Sequence, residues 1–281
     1  MYLRKKYQLI IVIISLLILV ISIIGWQVIH QAILLVILSI IVVLLLIILI
    51  ENRSGIQFER QEAQKNYKQV ESLFYLYSTL RIQHPFPPMR GWAISPDFAN
   101  IIISCVRERR PKLILEASSG VSTLISAYCL QEIGEGTVVS LEHDKCFTAI
   151  SAANVAKHRL QDIATIIYAP LKEVVIQGKT WLWYDTEYLR NLGPIDMLII
   201  DGPPGGMQRL ARYPALPILL HLLSEDAIVL LDDAFRTDER KIVELWLKEF
   251  SDFSLEEIDA EKGAVVLRRQ PIISSSSKQT R

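Results

Sequence analysis

The sequence predicts an α/β protein: a seven-stranded, mostly parallel sheet with helices on both faces, preceded by two membrane-spanning helices. Three observations carry this. Short apolar runs alternate with helical stretches from Lys112 onward; four of those runs end in an acid; and no charged residue interrupts Leu9 to Ile50.

The uncharged stretch comes first in the chain. As continuous helix it would run roughly 60 Å, about twice a ~30 Å hydrocarbon core, so two spans fit better than one. The break is expected within Gly25–Gln31, giving spans of about Leu9–Ile24 and Ala32–Ile50. Arg4, Lys5 and Lys6 precede the first span, and Arg53, Arg60, Lys65 and Lys68 follow the second. Basic flanks on both sides of an uncharged turn place both ends in the cytoplasm, in a multi-pass arrangement. Cys105, Cys129 and Cys146, odd in number and without a CxxC pair, agree with a reducing compartment. Thirty basic and 30 acidic residues balance, so no global field favours nucleic acid as a partner.

Residues 1–52 are thus read as the hairpin, and 53–90 as a juxtamembrane helix with a proline-rich linker. The sheet domain follows at 91–270, with a disordered tail at 271–281. In the juxtamembrane helix, Tyr67, Val70, Leu73, Phe74, Tyr77 and Leu80 recur at helical spacing. Prolines between His84 and Trp92 stop it. Ser95-Pro96 restarts a helix to about Arg109, with Ser as N-cap and Pro at the first position. Trp92 and Ile94, just before that cap, are either packing residues or part of a lid.

Lys112-Leu-Ile-Leu-Glu116 reads as a buried strand, Ala117–Gly120 as a tight turn, and Leu124–Leu130 as a helix. The small residues Ser118, Ser119, Gly120 and Ser122 let backbone amides approach a ligand at the positive end of the helix dipole. Thr137–Glu142, Ala164–Tyr168, Ile195–Asp201 and Ala227–Asp233 are further strands. Asp144 caps a helix through Lys157, Met207–Leu223 is a helix broken by prolines, and Thr237–Phe250 is an amphipathic helix. Ser254–Ile258 and Ala264–Arg268 close the sheet. In such sheets the carboxyl ends of strands line one crevice, so Glu116, Glu142, Asp201, Asp232 and Asp233 are expected to face it. Glu142 stands where an acid bonds the ribose hydroxyls of an adenosine; capping the next helix is its alternative role. The turn lacks the G-x-G-x-x-G that cradles a pyrophosphate, which separates it from nicotinamide-binding loops.

Glu116-Ala-Ser-Ser-Gly-Val-Ser, Ser140-Leu-Glu-His-Asp, Ile195–Asp201 and Val229–Asp233 resemble, in order and spacing, the motifs of class I S-adenosylmethionine-dependent methyltransferases, which have a Rossmann-like sheet. The likeness spans about Arg90 to Arg269 and is greatest to the catechol-type and macrocin-type O-methyltransferases. It implies S-adenosylmethionine as cofactor, with Glu116 near its methionine end, Glu142 on the ribose and His143 beside the adenine. It also favours the lid role for Trp92 and Ile94. It implies further a divalent cation, Mg²⁺, held by Asp201, Asp232 and Asp233, and Asp201 as the catalytic candidate. Ser118 replaces a customary glycine, and Gly202-Pro-Pro-Gly stands where the catechol-type enzymes carry a lysine. The general base is therefore unassigned, with Asp201, His221 and Arg236 as neighbours. The Trp181–Tyr184 cluster lines an acceptor pocket or packs in the core. The expected activity is O-methylation of a hydroxylated small-molecule, glycan or lipid-linked acceptor. An NAD(P)-dependent oxidoreductase and a non-catalytic membrane scaffold are the rival readings.

Overall fold

The computed structural model describes residues 7–8, 10–18, 30–190 and 192–270. The chain divides into two units, Met1–Gln64 and Lys65–Arg281.

In the first unit, residues 7–8 and 10–18 are helical, and helix α1 (His30–Thr79) begins and continues unbroken into the second. Among the described residues, α1 is the one helix long and apolar enough to cross a membrane, and most of its leucines and isoleucines from Leu38 to Ile50 are exposed. The Tyr7 hydroxyl donates to Glu51 Oε2 at 3.1 Å. Of the break expected at Gly25–Gln31, His30 and Gln31 are helical and belong to α1, whereas residues 25–29, with 9 and 19–24 of the first span, lie outside the described residues.

The second unit is built on β1 (Leu113–Ala117), β2 (Thr137–Glu142), β3 (Ala164–Tyr168), β6 (Ile195–Ile200), β7 (Leu223–Asp232), β8 (Phe253–Ile258) and β9 (Ala264–Arg269). Their order is β3-β2-β1-β6-β7-β9-β8, parallel as far as β7, with β9 and β8 antiparallel. β1 is buried along its whole length, as a strand covered on both faces must be. Helices α2 (Pro96–Arg109) and α3 (Val121–Ile133) pack against one another on one face, around Ile102, Phe98, Leu124 and Tyr128. The other face buries Trp183, Leu216, Ile242 and Trp246, with α5 (Ala215–Leu219) and α6 (Thr237–Glu249). Helix α4 (Lys145–Lys157) starts at Asp144, whose carboxylate accepts from the amides of Cys146 and Phe147 at 2.7 and 3.0 Å.

Three features depart from the sequence reading. Leu171–Ile176 and Lys179–Tyr184 form an antiparallel hairpin, β4–β5, separate from the main sheet. The stretch from Met207 is mostly turns, with α helix only over Ala215–Leu219, because Pro214 and Pro217 withhold amides. In the α1 segment from Lys65 to Thr79, the buried side chains are Gln69 and Leu76, while Tyr67, Val70, Phe74 and Tyr77 of the expected apolar stripe are exposed.

Candidate active site

The crevice lies at the carboxyl ends of β1, β2, β6 and β7, where parallel strands converge and the loops between strand and helix cross over. β1 ends in Glu116 and Ala117. Glu116 is fully buried and accepts hydrogen bonds from the hydroxyls of Ser122, Thr123 (2.5 Å) and Ser140 (2.6 Å). Burial raises its pKa despite those three donors. It therefore ties β1 to β2 and to the first turn of α3, and shapes the loop from within.

That loop is under backbone strain at Ser118, whose φ of 126° is costly for a side chain, while the φ of 156° and ψ of −134° at residue 120 fall to a glycine, which adopts them freely. The Gly120 amide is held by Thr123 Oγ1 at 3.1 Å. Gly202, after β6, has no room for a side chain: a Cβ there would stand 2.2 Å from the Tyr184 hydroxyl and 3.2 Å from the Ala117 carbonyl.

At the end of β2, Glu142 accepts from Ser119 Oγ at 2.9 Å and from the Asp144 amide at 3.0 Å, with His143 Nδ1 3.1 Å away. Burial works to raise its pKa, but the His143 ring, the amide and the hydroxyl outweigh it and leave it lower than usual. Glu142 is thus a fixed carboxylate. Ser119 also contacts Ser151 Oγ of α4 at 2.8 Å.

The third group is acidic. Carboxylate oxygens of Asp201, Asp232 and Asp233 lie within 4.8 Å of one another. Asp233 is left-handed, at φ 62°, and its amide donates to Asp232 Oδ1 at 2.8 Å. Arg212, from the β6–β7 connection, is buried among them. Its Nη2 lies 3.2 Å from Asp201 Oδ1 and 2.7 Å from Asp233 Oδ2, and its Nη1 donates to the Asp232 carbonyl at 2.8 Å. Arg236 Nη1 reaches Asp233 Oδ2 at 2.9 Å. Asp232 Oδ2 and Asp233 Oδ1 are buried without a hydrogen-bond partner, although Lys262 Nζ is 3.9 Å from the latter. Burial, then the charges of Asp201 and Asp233, push the Asp232 pKa up; burial raises that of Asp201 against the pull of Arg212.

The sequence-predicted residues Glu116, Ser118, Ser119, Gly120, Ser122, Glu142, His143, Asp201, Asp232 and Asp233 all sit on the loops and strand ends around this crevice. Two others part company. Trp92 is 92% exposed, whereas Ile94 is 2% exposed and packs in the core. His221 precedes β7 and so lies at the opposite edge of the sheet from Asp232. Trp181 and Trp183 are core residues, Trp181 packing against Tyr213 at 4.7 Å, and only Tyr184 reaches the crevice floor. Arg212 was not legible. Arg209, three residues earlier, is exposed, and the only hint in the sequence is that a group of acids needs a counter-charge.

Residues 117–234 match the family model described as a methyltransferase domain. No curated protein matches the sequence. Among solved structures, the S-adenosylhomocysteine-bound methyltransferase PaMTH1 of Podospora anserina superposes with a TM-score of 0.53 at 18% identity, over 75% of this chain and 94% of that one. A Klebsiella pneumoniae protein provisionally described as an O-methyltransferase does so with a TM-score of 0.51 at 16% identity, over 74% of this chain and 96% of that one. The chain therefore has the class I S-adenosylmethionine-dependent methyltransferase fold.

Proposed function

We propose that this chain is a membrane-anchored methyltransferase that transfers a methyl group from S-adenosylmethionine to the oxygen of a hydroxylated acceptor, with its catalytic unit in the cytoplasm. The observation that carries this is Glu142: an ionised carboxylate fixed at the end of β2, beside a loop with no pyrophosphate nest. The ribose diol is the ligand for such an acid, and the strained Ser118–Gly120 turn brings backbone amides toward the amino-acid tail. His143 would lie beside the adenine. The cofactor supplies an electrophilic methyl group, which the acceptor oxygen attacks in line as S-adenosylhomocysteine leaves.

Asp201, Asp232 and Asp233 would hold a Mg²⁺ ion. Two of their buried oxygens lack a hydrogen bond, and an all-oxygen set suits that ion. When bound it would lower the pKa of the acceptor hydroxyl. Arg212 takes one oxygen each of Asp201 and Asp233, and so orients both carboxylates. Asp201, at the end of β6 in this cluster, is the catalytic candidate to receive the acceptor's proton. The Tyr7–Glu51 hydrogen bond, which joins the two flanks of the apolar region, supports the hairpin.

Calorimetric titration of the full chain in nanodiscs with S-adenosylmethionine, S-adenosylhomocysteine and NAD tests the reading. Heat with both sulfur ligands and none with NAD is expected. Heat with NAD alone would replace the methyltransferase by an oxidoreductase, and binding without turnover on hydroxylated acceptors would favour the scaffold.

A further inference from the structure

Within the second unit, the edge of the sheet that carries the crevice is also the edge at which the chain enters. The β8–β9 turn lies on this edge, because Ala264 pairs with Asp232 at the carboxyl end of β7. The first residues of the α1 segment are tied to that turn and its surroundings. Lys68 Nζ meets Asp259 Oδ2 at 2.9 Å, and Asn66 Oδ1 accepts from Arg90, which also holds Glu261 at 2.7 Å. Asp97 Oδ2 accepts from both Gln69 Nε2 and the Glu261 amide, at 2.7 and 2.8 Å. The last residues of α1 reach the opposite edge. There the Thr79 carbonyl accepts from Arg107 at the end of α2, and the Arg81 amide donates to Glu132 at the end of α3. The chain thus enters this unit on the crevice side.

The same edge carries exposed large apolar side chains. Trp92, 92% exposed, rides on a turn that Lys262 holds through the carbonyls of Gly91 (2.9 Å) and Ala93 (3.1 Å). Phe235, 51% exposed, is two residues beyond Asp233, and its amide donates to the Lys262 carbonyl at 3.0 Å. Lys262 therefore fixes both aromatic loops beside the acids. Met207, 49% exposed, follows the loop after β6, and the exposed guanidiniums of Arg209 and Arg236 lie on the loops after β6 and β7. Covering the exposed Trp92 indole would remove its apolar surface from water. Indole and guanidinium together suit the polar boundary of an anionic bilayer.

We infer that the crevice rim formed by Trp92, Phe235 and Met207 rests on an anionic lipid bilayer, and that the methyl acceptor is a membrane-resident amphiphile whose hydroxylated headgroup enters the crevice from that surface. The acceptor class rests on the methyltransferase reading; the bilayer contact does not.

The test uses the full chain with Trp26→Phe in nanodiscs of phosphatidylcholine and phosphatidylglycerol, made with ordinary acyl chains or with chains brominated near the headgroup. Of the five tryptophans, Trp181, Trp183 and Trp246 are buried, so Trp92 reports alone. Brominated lipid should quench its emission, as for an interfacial indole, and the further change Trp92→Phe should abolish the difference. Phe235→Trp in that doubly substituted chain should restore it. Equal emission in both lipids, with Trp92 still quenched by aqueous acrylamide, would overturn the bilayer contact. S-adenosylhomocysteine titration of the same nanodiscs separates the two readings. Binding without lipid quenching leaves the methyltransferase and removes the bilayer contact; quenching without binding removes the acceptor class.

Discussion

Replacing Ser118 by glycine should stabilise the catalytic unit. At φ 126° its backbone lies in a region that costs a non-glycine residue about 1–3 kcal/mol. Glycine removes that cost but loses about 0.5–1 kcal/mol through the extra freedom of the unfolded chain. The balance is a gain of about 1 kcal/mol, which for a domain of roughly 200 residues raises Tm by about 2–4 °C. Differential scanning calorimetry of the two chains in the same nanodiscs, at pH 7, measures it. An unchanged or lower Tm would refute the strain argument and mean that the Ser118 side chain makes good its own cost. A higher Tm with weakened S-adenosylhomocysteine binding would mark the hydroxyl as a cofactor contact bought with stability.

Three other outcomes follow from the site. Glu142→Gln keeps the shape but removes the charge, and should weaken S-adenosylhomocysteine binding by about 1.5–3 kcal/mol, roughly 10- to 150-fold by calorimetry. Arg212→Met leaves the buried Asp233 and the part-buried Asp201 without their nearest cation and should destabilise by about 3–5 kcal/mol in denaturant melts, whereas Arg236→Met, at a more exposed position, should cost less than about 1 kcal/mol. Burial pushes the thiols of Cys105 and Cys129 up to about 11 and about 12, while Cys146 is exposed. Thiolate is the reacting form, so iodoacetamide at pH 8 should label Cys146 alone in the folded chain, as read by peptide mass spectrometry. Labelling of all three below pH 9 would contradict that burial.

The sheet was legible because its code is local: four of its strands are apolar runs closed by an acid, and parallel burial demands such runs. The caps at Ser95-Pro96 and Asp144 were legible for the same reason. The β4–β5 hairpin was not. Leu171–Tyr184 carries Lys, Glu and Gln beside its aromatics, and its stability comes from partners distant in sequence. Gln208 is one, bonding the Leu182 amide and carbonyl at 2.9 and 2.7 Å. Ile94 and Trp92 look alike in sequence; only the packing of α2 against the core separates the buried one from the exposed one. The acids of the crevice could be found by their place at strand ends. Arg212 could not, since a buried and an exposed arginine three residues apart look the same until the chain folds.

Among the described residues the sheet ends at β8, whose outward edge has no neighbouring strand. Ser254, Glu256 and Glu257 stand exposed along it, so a second copy laid edge to edge would bring like charges together. With the proposed membrane anchor, copies would meet often and in similar orientations, and those two glutamates would keep crowding from becoming a continuous ribbon of paired sheets. Replacing them with valine would leave the crevice untouched and expose the chain to that fate.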